Sequence, residues 1–482
     1  MIVSYCFLMF WGKPLSILLT LLLVALVCFS PSLSGKEDAK VHVVWYDFRY
    51  LEEIETGSTP SFWLYFENFD IGFEPFSQRN KSVLAEYMFL ADEGVEEVSI
   101  RFSLFAIEHN ESVLCDLDAK QGSDGVEIIF NLQTGRWSGD DTLGDASGLG
   151  RLNGCDDGSF YVDEYDVQLC FDVWVEDEDE DRISDEIESI LGTDPLENDS
   201  LRDDDGDGIP LWWEYRFGFD PFGFENHSVL DFDDDGLNNK EEFRMAEWGS
   251  DPFRADVFLE LDEMQFGPNG EGARVPEKSK RMLHEAYAVR NIVFHLDDGC
   301  MGGGELIPFV EVVRLGEEKQ YYNQYFLQND TQNWRRGVFR YALMSYHHFP
   351  ISGLEFAGED GGYTQGLNSF VLSTKSLEKK IESWFSPFER NLTYASVIMH
   401  ELGHTMGIYI GNPPGCDNQL SRTPLGIGWW LYSNYVSCMN YHYCYRLLDY
   451  SDGSHGWGDF DDWSELRVSQ FQPPSVVDDG GR

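Results

Sequence analysis

Basic residues are scarce in this chain. Its 482 residues hold 34 Lys plus Arg against 86 Asp plus Glu, a formal charge of −52. A surface of that sign repels phosphate backbones and anionic lipid, so nucleic acid is excluded as an expected partner. Cysteine is sparse as well. Seven lie beyond the first thirty residues (Cys115, Cys155, Cys170, Cys300, Cys416, Cys438 and Cys444), and none is spaced as a zinc knuckle. An odd number leaves at least one outside any intrachain disulfide. A second long apolar run is also missing. The first, LSILLTLLLVALVCF at 15–29, stands behind Lys13 and precedes small residues and then Lys36-Glu37-Asp38. It reads as a secretory signal over 1–34, with an uncleaved membrane anchor as the other reading. The expectation is a secreted or cell-surface chain. Sequons at Asn80, Asn110, Asn198, Asn226, Asn329 and Asn391 suit an exported glycoprotein.

What is present is apolar enough to fold: 42% of residues are hydrophobic and 15% aromatic. The expected fold class is multidomain. Residues 36–175 alternate apolar and polar in short runs such as SFWLYFENF, VSIRFSLFAI and VEIIFNL, separated by Gly, Asp and Asn. That is the pattern of an antiparallel β-sandwich. The turn stretch Gly139–Gly158 could hold a cation or be a solvated loop.

Residues 176–252 contain an internal repeat of acidic loops. Asp177, Asp179, Asp181, Asp185 and Glu188 occupy positions 1, 3, 5, 9 and 12 of a twelve-residue loop. Asp203, Asp205, Asp207 and Glu214 repeat the spacing, with Gly208 at position 6. Asp231, Asp233, Asp235, Asn239 and Glu242 repeat it again, with Gly236 at position 6. Each copy is followed by Gly-x-Asp-Pro, at Gly192, Gly218 and Gly249. Alternate oxygens of such a loop converge on one point, and the last Glu can grip with both oxygens. Hard donors in that number select calcium. Arg182 at position 6 of the first copy and Leu211 at position 9 of the second imply uneven affinities. The repeats resemble the thrombospondin type 3 and dockerin-like calcium repeats, which implies a stiff calcium-dependent spacer.

Residues 253–482 read as one mixed α/β domain. VFLELDEM and NIVFHLDDG are expected strands, KSKRMLHEAYAV a helix, and LNSFVLST an edge strand able to pair with an extended substrate. NLTYASVIMHELGHTM is an expected helix, entered through an Asn/Thr cap and ended by Gly407. Within it, His400-Glu401-Leu402-Gly403-His404 places two imidazoles on one face, close enough to share a zinc ion. Glu401 is turned toward a water there as general base.

HELGHTMG at 400–407, followed by Ser437-Cys438-Met439-Asn440-Tyr441, resembles the metzincin zinc proteases. The resemblance implies a metzincin-like protease domain, with Gly407 reversing the chain, Met439 in a Met-turn beneath the metal, and Tyr441 as a ligand or oxyanion donor. A plain packing role for Tyr441 stays open beside that. LLDYSDGSHG at 447–456 resembles prokaryotic secreted metallopeptidases, and the whole order of domains an archaeal-type multidomain metalloprotease. One position departs from the family: Ile410 stands where the third histidine belongs. Asp417 is the first choice to replace it, with His442, His455, Glu465 and Cys416 as alternatives. The expected function is a calcium-stabilised zinc endopeptidase acting on a protein or peptide. A surface adhesion or scaffold protein with an inactive protease domain, and an amidase of cell-wall amides, are the competing readings.

Overall fold

The structure is a computed structural model. It describes residues 39–51, 60–92, 95–108, 111–117, 125–141, 150–157, 165–175, 177–179, 181, 183–349, 353–356, 368–382, 388–409, 411–417 and 424–469. The leader, Asn110, Arg182, Ile410 and part of the Gly139–Gly158 turn lie outside them.

Alternation of side chains builds the first unit. Ser61–Phe66 and Val126–Asn131 bury every second residue, as a strand with one face inward must. Two antiparallel sheets result. One runs Asn80–Ala91, Ala39–Tyr50, Val167–Val175, Gly150–Asn153; the other runs Ile71–Gly72, Ser61–Phe66, Glu97–Glu108, Val126–Asn131, Arg136–Gly139. Their inner faces share one core in which Trp45, Phe48, Phe62, Phe66 and Phe102 are fully buried, each aromatic side chain contributing about 1.5–3 kcal/mol. The sandwich expectation holds.

The acidic repeats form three loop-helix units, with helices Asp185–Leu191, Leu211–Phe217 and Asn239–Met245. The first two helices end on left-handed Gly192 and Gly218 (φ 75° and 81°). The third runs on through a 3-10 turn, Ala246–Trp248, to left-handed Gly249 (φ 85°). The three units do not stand out as a spacer. Arg216 pairs with Asp172 of the sandwich at 3.1 Å, while Leu237 and Met245 share a core with Phe258, Phe339 and Tyr341 of the last domain. They meet the sandwich through an ion pair and the last domain through a shared apolar core.

In the last domain the strands run Val293–Asp297, Asp256–Met264, Phe339–Ser345, Ser369–Ser373, Gly353–Phe356; the first four are parallel and the last is antiparallel. Asp256–Met264, the helix Glu277–Ala288 and Val293–Asp297 make a βαβ unit as the sequence suggested. LNSFVLST is not an edge. Ser369–Ser373 is buried at all five residues and lies between two neighbours; among the described residues the antiparallel edge is Gly353–Phe356. The motif helix spans Arg390–Thr405, buried throughout from Thr393, and packs against Glu277–Ala288. Its cap is not Asn391 or Thr393: the Glu389 carboxylate accepts the Leu392 amide.

A buried ion cluster stabilises the sheet. Arg335 reaches Glu260 at 2.6 Å and Asp297 at 2.5 Å, with every side chain at most 4% exposed. Replacing Arg335 by Met strands both carboxylates, so we expect a loss of about 3–5 kcal/mol in denaturant unfolding. A variant within about 1 kcal/mol of wild type would contradict that assignment.

Candidate metal centres

The motif helix brings His400 and His404 to one face, one turn apart, with their Nε2 atoms separated by 3.2 Å. The chain reverses at Gly407 (φ 100°) and returns as the strand Pro414–Asp417. That strand delivers Asp417: its carboxylate lies 3.2 Å from His400 Nε2 and 3.6 Å from His404 Nε2. The Asp417 amide donates to the Met439 carbonyl at 3.0 Å, tying this strand to the turn below the helix. His400, His404 and Asp417 are all buried and form one group able to hold a metal ion.

The proton positions follow from the backbone. His400 Nδ1 faces the Cys438 carbonyl at 2.9 Å, and His404 Nδ1 faces the Ile408 carbonyl at 2.6 Å. A carbonyl only accepts, so both Nδ1 atoms carry hydrogen, and in the neutral imidazoles the Nε2 lone pairs point at each other and at a carboxylate. A cation seated among these three atoms at 3.2–3.6 Å would accept electron pairs from all of them. Those separations match the edge of a tetrahedron with bonds of about 2.0 Å, the zinc–nitrogen distance.

Met439 is fully buried against this helix. A Cβ at Gly403 would stand 2.5 Å from Met439 Sδ, so the close packing of turn on helix requires glycine there. Glu401 is 5% exposed and lies about 100° around the helix from His400. Tyr441 stacks its ring on His400, centroids 5.5 Å apart at 25°. The other ligand alternatives go elsewhere. Cys416 is core, His442 stacks on Trp429, His455 pairs with Asp459 on the surface, and Glu465 is exposed.

The acidic loops repeat in atomic detail. In each, the position-3 carboxylate accepts the position-5 amide, through Asp179, Asp205 and Asp233. The position-5 carboxylate accepts the position-7 amide and, with its second oxygen, a linker amide from Asp199, Glu225 or Asp256. Asp203 and Asp231 accept the Gly208 and Gly236 amides. The second oxygens of Asp179, Asp205 and Asp233 remain without a hydrogen-bond partner. So do one or both oxygens of Glu188, Glu214 and Glu242, and Asn239 Oδ1. Asp177, Asp185 and Glu188 form a further group able to hold an ion. Burial pushes Glu188 and Glu214 up to about 7 and Asp233 to about 8, and raises Asp235 and Glu242 well above the ordinary range.

Sequence reasoning missed His227 and Asp256. The fully buried His227 ring lies 3.1 Å from Asp207 and 3.3 Å from Glu214. Asp256 joins the third loop from the first strand of the last domain. Neither sits at a motif position, and only the three-dimensional repeat exposes them.

No protein family's sequence profile matches the chain, and no curated protein matches it. Among solved structures, it is similar to the paired C2 domains of extended synaptotagmin 2, at 11% identity and a TM-score of 0.18 over 30% of this chain and 44% of that one. It is similar to human GIVD cytosolic phospholipase A2 at 11% identity and 0.17, over 30% of this chain and 18% of that one. It is also similar to a single C2 domain of plant extended synaptotagmin 1 at 12% identity and 0.16, over 29% of this chain and 96% of that one. The chain thus spans less than half the length of the first two. Likeness at that level carries no argument about function.

Proposed function

We propose that the chain is a zinc-dependent endopeptidase of metzincin-like design whose acidic loops hold calcium. The observation that supports it is the triad itself: two Nε2 atoms and a carboxylate converge, all buried, while both Nδ1 positions are taken up by backbone carbonyls. That donor set fits zinc, held by His400, His404 and Asp417, which when bound acidifies water and polarises a carbonyl. Asp417 then fills the coordination position that Ile410 leaves open.

The chain's own groups would work as follows. The Cys438 and Ile408 carbonyls fix the imidazole tautomers, and the Met439–Asp417 backbone bond fixes the carboxylate. Glu401 takes a proton from the attacking water and passes it to the leaving amine. Tyr441, stacked on His400, would donate to the developing oxyanion. Exposed Leu425, Ile427 and Trp430, on the segment between Asp417 and the Met-turn, offer apolar contact to a peptide side chain. The antiparallel edge Gly353–Phe356, which packs on the motif helix, offers backbone pairing to an extended peptide.

Glu401→Gln should retain one zinc per chain and lose about 10²–10⁴-fold in kcat on casein. Turnover at the wild-type rate would refute the role given to Glu401. Asp417→Ala should lose zinc on dialysis while keeping its calcium; full zinc occupancy would remove Asp417 from the site. A wild-type chain that binds calcium but neither zinc nor casein would favour the scaffold reading instead.

The loops predict an inverted pH dependence without calcium. Their folded-state pKa values are raised, so the folded chain binds more protons than the unfolded one, and stability falls as pH rises. In EDTA, Tm should drop as pH climbs from about 4.5 through 8, the span between ordinary carboxylates and the raised values of Glu188, Glu214 and Asp233. Calcium should abolish the drop; a flat profile in EDTA would contradict buried, cation-starved loops.

A further inference from the structure

His227 is the one histidine among the acidic loops, and it touches two of them. Its Nε2 faces Asp207 Oδ2 at 3.1 Å and Glu214 Oε1 at 3.3 Å, both in the second loop. Its Nδ1 faces the Asn239 side-chain amide nitrogen at 2.9 Å, in the third loop. An amide nitrogen only donates, so Nδ1 accepts and the hydrogen sits on Nε2, donated to the two carboxylates. This is the reverse of His400 and His404, whose Nδ1 atoms donate and whose Nε2 atoms are left as lone pairs. With that hydrogen on Nε2, His227 bridges the two loops; the same ring, with Asp207 and Glu214, is also one of the groups whose atoms could hold a metal ion.

Both ends of the bridge carry an oxygen with nothing to bind. Asn239 Oδ1 and Glu214 Oε2 are buried without a hydrogen-bond partner, on residues fully withdrawn from solvent. These occupy positions 9 and 12 of their loops, where a cation would be gripped. The ring between them is fixed, standing edge-on to Trp213 (6.3 Å, 89°) and Phe219 (5.2 Å, 84°). We propose that His227 couples the second and third loops, so that a cation in one raises the affinity of the other. This rests on the calcium reading of the loops and not on the peptidase reading. A cation on Asn239 Oδ1 fixes the amide plane; the amide fixes the imidazole; the imidazole fixes Asp207 and Glu214. Linkage makes the effect reciprocal.

The first loop stands outside the couple. His227 follows Glu225, whose amide binds the position-5 carboxylate, by two residues; the matching residue after Asp199 is Leu201, which is 79% exposed. It can relay nothing.

The test is a calorimetric calcium titration of the full chain, as wild type, His227→Phe and His227→Gln, with circular dichroism to verify the fold. Phe keeps the aromatic packing and cuts the relay; Gln can both accept from Asn239 and donate to Glu214. Wild type should fill two loops in one steep step, with a Hill coefficient above 1. His227→Phe should take up as many ions, but with a coefficient of 1 and roughly tenfold weaker binding at the coupled pair. Gln should restore part of the steepness. Equal steepness in wild type and His227→Phe would overturn the coupling alone. Failure of the wild-type chain to take up calcium would overturn the coupling together with the calcium reading. Loss of peptidase activity would touch neither.

Discussion

Two backbone carbonyls set the chemistry of the site. Because the Cys438 and Ile408 oxygens each claim an Nδ1 hydrogen, His400 and His404 face each other through Nε2 across 3.2 Å. Adding the Asp417 carboxylate brings three buried groups with metal-ligand chemistry to one point. Everything around it serves to hold those groups in place: the glycine at 403 that admits Met439, the amide of Asp417 on the Met439 carbonyl, and the helix Glu277–Ala288 behind. On the proposed reading, a cation held there would relieve the crowding of these groups.

The same logic recurs in the acidic loops by other means. There the carboxylates are organised by backbone amides, which take one oxygen of a carboxylate and leave others free. Periodic hydrogen bonds, repeated in all three loops, give a polar interior that is built but incompletely satisfied. Because the third loop shares its core with the last domain, cation binding in the repeats bears directly on the sheet that carries the motif helix. Calcium would then act on the rigidity of the site's scaffold rather than on the distance between separate modules.

Much of this was legible in the sequence for local reasons. The i,i+4 histidines, the alternating strands and the twelve-residue acidic spacing are short-range patterns, and each appears in the structure where its period places it. What failed was non-local. Ser369–Ser373 reads as an isolated apolar strand, and nothing in it announces Gly353–Phe356 as a further neighbour. The helix cap went to Glu389 because a carboxylate one residue before the helix reaches the first-turn amides as well as Asn or Thr does. His227 and Asp256 enter their loops across turns and domain boundaries, so no spacing encodes them. Asp417 lay between these cases: its residue type suited the role, but only the chain reversal at Gly407 brings it to the imidazoles.

The most direct test is a crystal grown with zinc and measured at the zinc absorption edge. One strong anomalous peak is expected about 2.0 Å from His400 Nε2, His404 Nε2 and an Asp417 oxygen. A well-diffracting crystal with no peak there, or with the peak among the acidic loops instead, would contradict the assignment of His400, His404 and Asp417 as a zinc site.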